Sequence, residues 1–431
     1  MFDIFYKKND NNLLFRDLEK NDFSNLQNYN PLYSAYFSLD EHNYNNINLN
    51  NRYSITNIKN KKSNNEYVID CFDSKTNTKQ NFNSFFKFSP LLDPVKFMVG
   101  KYKHIDKQII SSLPRISSNT CCKKVLDSNN SAYVDSFFSY LSSKLLNNTG
   151  FIHGLNFFGS FLTIQNKFKL NIYDDLDYLY DSDFFHKNKN ELFQVDDIDE
   201  EKLLDSDTRN YRKKIKLEKN NDSIDITCDT IDNQIFEGMF KELTTKNLKL
   251  HNTSIEEEYS IDKKISKEKS AKKTNSTCSS RSSNTDMVDS KNSNSSSDDL
   301  IESLSNSQIS DYSTMNSDEI INGTIFNFPV QMICMEKLDN TLDSLLEDDE
   351  NELSDKEWKS CLFQIIMILI TYQKVFNFTH NDLHTNNIMY IKTDKTFINY
   401  KYNNVYYKIP TYGKLYKIID FGRAIYSFKG K

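Results

Sequence analysis

The sequence has 431 residues, which is enough for two or three domains or for one domain with large insertions. Hydrophobic residues make up 38% of it and the net charge is -6, which argues against a general nucleic-acid-binding protein. The seven cysteines are scattered without a C-x-x-C pair, so we expect reduced thiols in an intracellular protein and no zinc site.

The sequence predicts a soluble protein that makes no contact with a membrane. Residues 1–9 lack the long apolar run of a signal peptide. The longest apolar stretch, 361–372, is interrupted by Gln364 and is too short to span a bilayer.

Residues 1–60 are rich in asparagine with interleaved tyrosine and phenylalanine, and we expect an N-terminal extension with short elements there. Two runs of aromatic and β-branched residues, 66–73 and 84–90, flank a polar loop and predict a β-hairpin. Residues 93–116 are predicted to be helical, with Pro114 as the stop.

A second helix is predicted over 131–146, where apolar residues recur at helical spacing. A strand is expected within 150–164, and its His153 is interpreted as structural. Residues 170–325 are predicted to be an insertion, with short elements at 173–180 and 235–250. Its part 260–318 is mainly Ser, Asn, Lys and Asp and cannot bury enough apolar surface to offset chain entropy, so we expect disorder there.

The sequence patterns that predict secondary structure are clearer after the insertion. A buried strand is predicted over 332–336 and a short helix over 341–347. Ser354 and Glu357 fit the capping box S-x-x-E, which opens a predicted core helix that continues to about Asn377.

Two motifs near the end of the sequence contain residues suited to phosphoryl transfer. Residues 379–390 contain H-x-D-L-x-x-x-N, and 418–422 end in D-F-G. The gap between the motifs is long, and the alternating aromatic residues around Asn403 and Asn404 predict an inserted β-hairpin at 396–409.

These two motifs, in this order, resemble the signature of protein kinases. The resemblance implies an α+β, bilobal kinase-like fold with the small lobe at 61–169 and the hinge and a partial large lobe at 326–431. It also implies ATP and Mg²⁺ as cofactors and a protein Ser/Thr hydroxyl as acceptor. Asp382 would be the base, Asn387 and Asp420 would hold the metal, and His384 would donate a hydrogen bond to the γ-phosphate.

In the small lobe, the resemblance makes Lys87 the lysine that binds the α- and β-phosphates, with Asp135 as its partner in place of a glutamate. Met335 would be the gatekeeper beside the adenine pocket, and the backbone from Glu336 to Leu338 would face adenine. No G-x-G-x-x-G precedes Lys87, and 73–83 contain no glycine, so we expect the phosphate-covering loop to be rebuilt or absent.

Two alternatives remain open. The missing glycine loop favours a non-catalytic kinase-like binding module, and the block H-N-D-L-H-x-x-N also resembles choline and aminoglycoside kinases, which are small-molecule kinases. Residues 377–424 look most similar to protein kinases of large DNA viruses. Because only nine residues follow Gly422, we expect a truncated or split product, or a module whose large lobe is completed by a partner.

Overall fold

The backbone is built from both helices and antiparallel strands, which places the protein in the α+β class. The computed structural model describes residues 2–8, 11–116, 120–196, 321–346 and 353–431. The strands are β1 (Tyr6–Lys8), β2 (Phe23–Gln27), β3 (Ile47–Leu49), β4 (Tyr53–Lys61), β5 (Glu66–Asp73), β6 (Thr78–Pro90), β7 (Phe157–Asn171), β8 (Phe193–Val195), β9 (Asn322–Glu336), β10 (Asn340–Thr341), β11 (Ile388–Lys392), β12 (Phe397–Tyr402), β13 (Val405–Pro410) and β14 (Lys414–Ile418).

The helices divide into two long core helices and several short ones. In chain order they are α1 (Asn12–Glu19), α2 (Pro94–Met98), α3 (Lys107–Ile110), α4 (Lys123–Leu126), α5 (Ser131–Thr149), α6 (Leu176–Tyr180), α7 (Asp183–Asn188), α8 (Leu342–Leu346) and α9 (Asp355–Phe376). Short 3-10 helices occur at Pro31–Ala35, Tyr173–Asp175 and Thr385–Asn387.

The main sheet has the strand order β2-β7-β9-β6-β5-β4, and β8 pairs with β9 at one end. All of these pairs are antiparallel, and Lys87 of β6 lies opposite Ile333 of β9. The predicted hairpin is confirmed as β5 and β6, with a shorter turn than expected. The sheet includes β2 and β4, so the asparagine-rich N-terminal segment contributes two of its strands.

Helix α5 covers this sheet and is buried along most of its length. Asn130 caps its first turn by accepting a hydrogen bond from the Ala132 N–H, and Gly150 ends it with a left-handed φ of 75°. The helix predicted over 131–146 is therefore confirmed, and it continues for three further residues.

The single helix predicted over 93–116 was wrong, because α2 and α3 are separate. Gly100 follows α2 with a φ of 79°, and a Cβ there would lie 2.4 Å from the ring of Phe184. This left-handed position turns the chain and ends the helical path. The side chain of Asp106 then caps α3 by accepting from the Gln108 N–H at 2.7 Å.

The strand expected within 150–164 begins later, at Phe157, and continues to Asn171. Residues 150–156 instead form the loop that joins α5 to β7. In the insertion, the short elements expected at 173–180 are confirmed by a 3-10 helix and α6. The predicted helix at 235–250 and the disorder predicted at 260–318 lie outside the described residues.

Helix α9 begins with the predicted capping box. The Ser354 N–H donates to Glu357 Oε2 at 3.0 Å, and the Glu357 N–H donates to Ser354 Oγ at 3.4 Å. In the described part of the chain, this helix alone is long and apolar enough to cross a membrane, and 44% of its most apolar window is buried. Its side chains Tyr372 and Phe376 are fully buried against Phe138 of α5, which is the packing of a core helix.

The hairpin predicted at 396–409 is confirmed as β12 and β13. Asn403 and Asn404 both have positive φ, 48° and 63°, as a tight hairpin turn with the right twist requires. The five cysteines of the described ranges, Cys71, Cys121, Cys122, Cys334 and Cys361, are free and buried.

Candidate active site

Strand pairing brings the two C-terminal motifs together. Strands β11 and β14 are antiparallel, with Ile388 opposite Ile418. Just beyond this pair, the Ile419 N–H donates to the Asn387 carbonyl at 3.0 Å. The residues 382–387 and the D-F-G tripeptide therefore lie side by side, although the β12–β13 hairpin separates them in sequence.

Asp382 is fixed by its neighbours on both sides. Its Oδ1 accepts from Arg423 Nη1 at 3.0 Å, and its N–H donates to His380 Nδ1 at 3.3 Å. The Nε2 of His380 then donates to the Ile419 carbonyl at 2.9 Å, and burial lowers the pKa of this imidazole, so it is held neutral. Both ring nitrogens of His380 thus take part in hydrogen bonds that support the loop.

Residues with a left-handed backbone occur on both sides of the site. Asn381, directly before Asp382, has a φ of 61°, and Asp420 has a φ of 58°. Asparagine and aspartate adopt the left-handed region more readily than other residues except glycine. Both residues are adjacent to or part of the predicted catalytic set.

Asn387 has an oxygen with no partner. Its amide NH₂ donates to the Asp382 carbonyl at 2.9 Å and to His384 Nε2 at 3.0 Å. Its Oδ1 is buried and makes no hydrogen bond to any of the residues that the structure describes. A buried, unpaired amide oxygen is costly, and it is the kind of ligand that Mg²⁺ accepts. The amide oxygen of Asn387 and the carboxylate of Asp420 are both oxygen ligands of the type that Mg²⁺ prefers.

The expected role of His384 depends on its free nitrogen. Its Nε2 accepts from Asn387 and is not available to a phosphate, so any hydrogen bond that it donates must come from Nδ1.

Lys87, Asp135 and Asp420 form a buried group that we call the ionic cluster. Lys87 Nζ lies 2.8 Å from Asp135 Oδ2 and 2.9 Å from Asp420 Oδ1. The three side chains are 13%, 3% and 11% exposed, respectively. The structure therefore joins Lys87 to Asp135, as the sequence predicted, and also to Asp420 of the D-F-G motif.

The charges of the ionic cluster depend on one another. Burial alone would lower the pKa of Lys87, but the carboxylates of Asp135 and Asp420 raise it above its usual value. Burial raises the pKa of Asp135. Burial acts in the same direction on Asp420, but Lys87 outweighs it and the pKa of Asp420 is lowered. The cluster thus has one permanent cation between two carboxylates with different proton affinities.

Asp135 also holds the D-F-G segment directly. Its Oδ1 accepts from the Phe421 N–H at 2.9 Å. The Phe421 ring is fully buried and packs against Phe138 of α5, with 4.6 Å between ring centroids. Helix α5 therefore positions both the lysine partner and the backbone next to Asp420.

The three residues expected around adenine lie at the end of β9. Met335 and Leu338 are both 7% exposed. The Glu336 N–H donates to the Asn156 carbonyl at 2.9 Å, and its carboxylate pairs with buried Lys417. The backbone of Leu338 makes no hydrogen bond to the residues that the structure describes.

The turn nearest Lys87 is not the one considered in the sequence. Residues 74–77, between β5 and β6, lie at the far end of β6 from Lys87. The turn at 62–65, between β4 and β5, reaches Lys87 instead, because the Phe86 N–H donates to the Asn65 carbonyl at 2.7 Å. This turn reads Lys-Ser-Asn-Asn and also contains no glycine.

Arg423 and Lys417 were missed by the sequence reasoning. Arg423 directly follows D-F-G, but no spacing rule links it to Asp382, which is 41 positions away. Lys417 stands in a strand at a position where the pattern predicts an apolar residue. This departure from the pattern was the one feature of the sequence that could have indicated a buried ion pair there. Both pairings depend on contacts across the fold.

No family model matches the chain. Over 67 residues the chain is 40% identical to "Uncharacterized protein 098R" of Invertebrate iridescent virus 6. This match covers 15% of the present chain and 11% of the length of the viral protein, so it is a local similarity to part of a longer protein.

Proposed function

We propose that this protein is an ATP-dependent phosphotransferase with a bilobal, protein-kinase-like fold that transfers the γ-phosphate to a protein Ser or Thr hydroxyl. The observation that carries the proposal is the ionic cluster, in which Lys87 meets both Asp135 and the aspartate of D-F-G, with Asp382 and Asn387 beside it. The strand order of the main sheet, with α5 packed on it, supports the same fold.

Phosphate binding is assigned to Lys87. Lys87 lies on β6 opposite Ile333 of β9, and Asp135 keeps it charged and oriented. A nucleotide phosphate at this position would replace Asp420 as the second anion beside Lys87. Asp420 would then turn towards Mg²⁺, together with Asn387 Oδ1. When bound, Mg²⁺ supplies charge neutralisation at the phosphates.

Proton removal from the acceptor hydroxyl is assigned to Asp382. Its Oδ1 is held by Arg423 at 3.0 Å, which fixes the carboxylate in one orientation and leaves Oδ2 for the hydroxyl. Adenine would lie against Met335 and bond to the backbone of Leu338. The partial match to a protein of an iridescent virus supports a viral source.

A non-catalytic binding module is the second candidate function, and one observation favours it. The 62–65 turn lacks the glycines that allow a backbone to approach phosphates closely, so it cannot form the usual cover over them. Such a protein would bind a nucleotide or a partner without catalysing phosphoryl transfer. The small-molecule kinase alternative differs only in the acceptor.

Binding of Mg·ATP to the full chain tests the proposal. We expect calorimetry and thermal shift to detect Mg²⁺-dependent ATP binding that is lost in Asp420→Asn. Asp394→Asn removes an exposed carboxylate outside the site and is the matched control. No binding by a folded wild-type protein would contradict the proposal.

Turnover separates the candidate functions. With casein as acceptor and labelled ATP, we expect transfer that falls at least about 10²-fold in Asp382→Asn while ATP binding persists. Binding without transfer to any acceptor would support the non-catalytic module, and transfer only to aminoglycosides or choline would support a small-molecule kinase.

A further inference from the structure

The N-terminal segment, which the structure describes at residues 2–8 and 11–51, packs against one stripe of α5. Phe137, Tyr140 and Lys144 follow each other at helical spacing and form this stripe. The ring of Tyr36 stacks on Phe137 with 4.6 Å between centroids. Buried Asn50 accepts from Tyr140 through its side chain and from Lys144 Nζ, at 3.1 Å, through its carbonyl.

A second stripe of the same helix faces the candidate active site. It contains Asp135, which holds Lys87 and the Phe421 N–H, and Phe138, which packs on Phe421. It ends at Ser142, whose hydroxyl bonds the Tyr372 hydroxyl of α9 at 2.7 Å. The helix is thus held between the N-terminal segment on one side and the site on the other.

The helix depends on these contacts for its position. Helix formation in isolation is marginal at this length, and most of the stability of a protein helix comes from tertiary packing. The N-terminal contacts include hydrogen bonds to buried polar groups of α5, and burying such a group without a hydrogen-bond partner costs free energy. Lys144 is 7% exposed, and burial lowers the pKa of its amine, so losing the Asn50 carbonyl would leave a buried amine without this acceptor.

The segment also reaches the residues that follow D-F-G. Phe2 stacks on Phe428 with 5.6 Å between centroids, and Tyr36 lies 6.3 Å from the same ring. Tyr36 therefore contacts both α5 and the stretch after Gly422.

We propose that the described parts of this segment, residues 2–8 and 11–51, position the candidate active site: by packing on Phe137, Tyr140 and Lys144 they hold α5 so that Asp135 meets Lys87 and the Phe421 N–H. Tyr36 and Asn50 are its positioning residues. The consequence for phosphate binding rests on the proposed function, but the positioning itself concerns only the fold.

Hydrogen exchange on the full chain tests the positioning without requiring catalysis. The probe is the Phe421 amide, which is bonded to Asp135. We expect its exchange to become at least tenfold faster in Tyr36→Ala and to return to the wild-type rate in Tyr36→Phe, which keeps the ring stack. The control is Tyr44→Ala, which removes a ring that packs on Tyr29 within the same segment.

The amides of the β7–β9 ladder distinguish loss of position from loss of global stability. They should keep their wild-type exchange rates in Tyr36→Ala. An unchanged Phe421 amide, or equal acceleration of the ladder, would overturn the positioning proposal. If the wild-type protein binds Mg·ATP, the Kd for ATP should be higher in Tyr36→Ala than in the wild type. If it does not bind, the proposed function fails, and exchange at Phe421 still decides the positioning.

Discussion

Two buried polar clusters of this protein differ in charge: one contains ion pairs, and the other contains only neutral hydrogen bonds. In the ionic cluster, Lys87 Nζ lies within 3 Å of a carboxylate oxygen of each of two aspartates. The second, which we call the histidine cluster, consists of His153, Tyr400 and Tyr416. His153 Nδ1 donates to the Tyr416 carbonyl, and its Nε2 accepts from the Tyr400 hydroxyl, both at 2.7 Å.

The difference follows from what each cluster connects. The histidine cluster joins the loop after α5 to β14 and to the inserted hairpin, and neutral hydrogen bonds are enough for that purpose. Burial lowers the pKa of His153 to about 4, so the ring is uncharged at neutral pH. The ionic cluster keeps charge in the interior, which is costly unless the charges are paired. The proposed binding of phosphate and metal would require such charge.

The largest effect is expected from removing the only cation of the ionic cluster. Lys87→Met leaves two buried carboxylates without a counter-charge, so the free energy of unfolding should fall by about 3–5 kcal/mol in urea titrations. Lys59→Met is the control, because Lys59 is 45% exposed where it pairs with Asp70 and should cost no more than about 1 kcal/mol. Equal losses in the two variants would remove the distinction between buried and exposed pairs.

A smaller effect is expected from acid. Above pH 6.5, His153 is neutral in both the folded and the unfolded chain. Between pH 6.5 and 4, His153 binds a proton in the unfolded chain but stays neutral in the folded protein. The free energy of unfolding should therefore fall by about 3 kcal/mol in this window. The carboxylates of the ionic cluster shift in opposite directions, so their contributions to the acid response oppose each other.

Unfolding titrations from pH 7 to pH 4 measure this acid response. His153→Gln should lower stability at pH 7 but flatten the fall towards pH 4, whereas substitution of the exposed His104 by Gln should leave the curve unchanged. A wild-type slope retained in His153→Gln would contradict the assignment.

The smallest effect concerns the hydroxyl of the histidine cluster. Tyr400→Phe leaves the Nε2 of buried His153 without its donor and should cost about 1–2 kcal/mol in urea unfolding. Tyr406→Phe on the neighbouring strand is the matched control, because Tyr406 is 74% exposed. If both variants were neutral, the hairpin would not be anchored through His153.

Much of the local structure could be predicted from the sequence. Ser354 and Glu357 marked the start of α9, and Asn403–Asn404 marked the turn of the hairpin, because both signals act between residues that are neighbours in the chain. Gly100 was overlooked within 93–116, and its left-handed backbone divides that segment into two helices.

The candidate site was only partly predictable. Asp382, Asn387 and Asp420 were found because their motifs have fixed spacing. Asp135 was expected as the partner of Lys87 because it is the only acidic residue of the helix predicted over 131–146. No local pattern in the sequence indicated that Lys87 also contacts Asp420. The turn near Lys87 was misplaced, because strand pairing decides which turn reaches the lysine.

The sequence by itself determined the local elements and the chemical groups: the capped helix, the hairpin, and the carboxylates, amide and lysine suited to phosphoryl transfer. The tertiary structure alone decided which of them meet. Phe421 and Asp135 are 286 positions apart, and Arg423 and Asp382 are 41 positions apart. Periodicity and capping act over a few residues, whereas these pairs depend on sheet order and helix packing, which arise from burial of apolar surface over the whole fold.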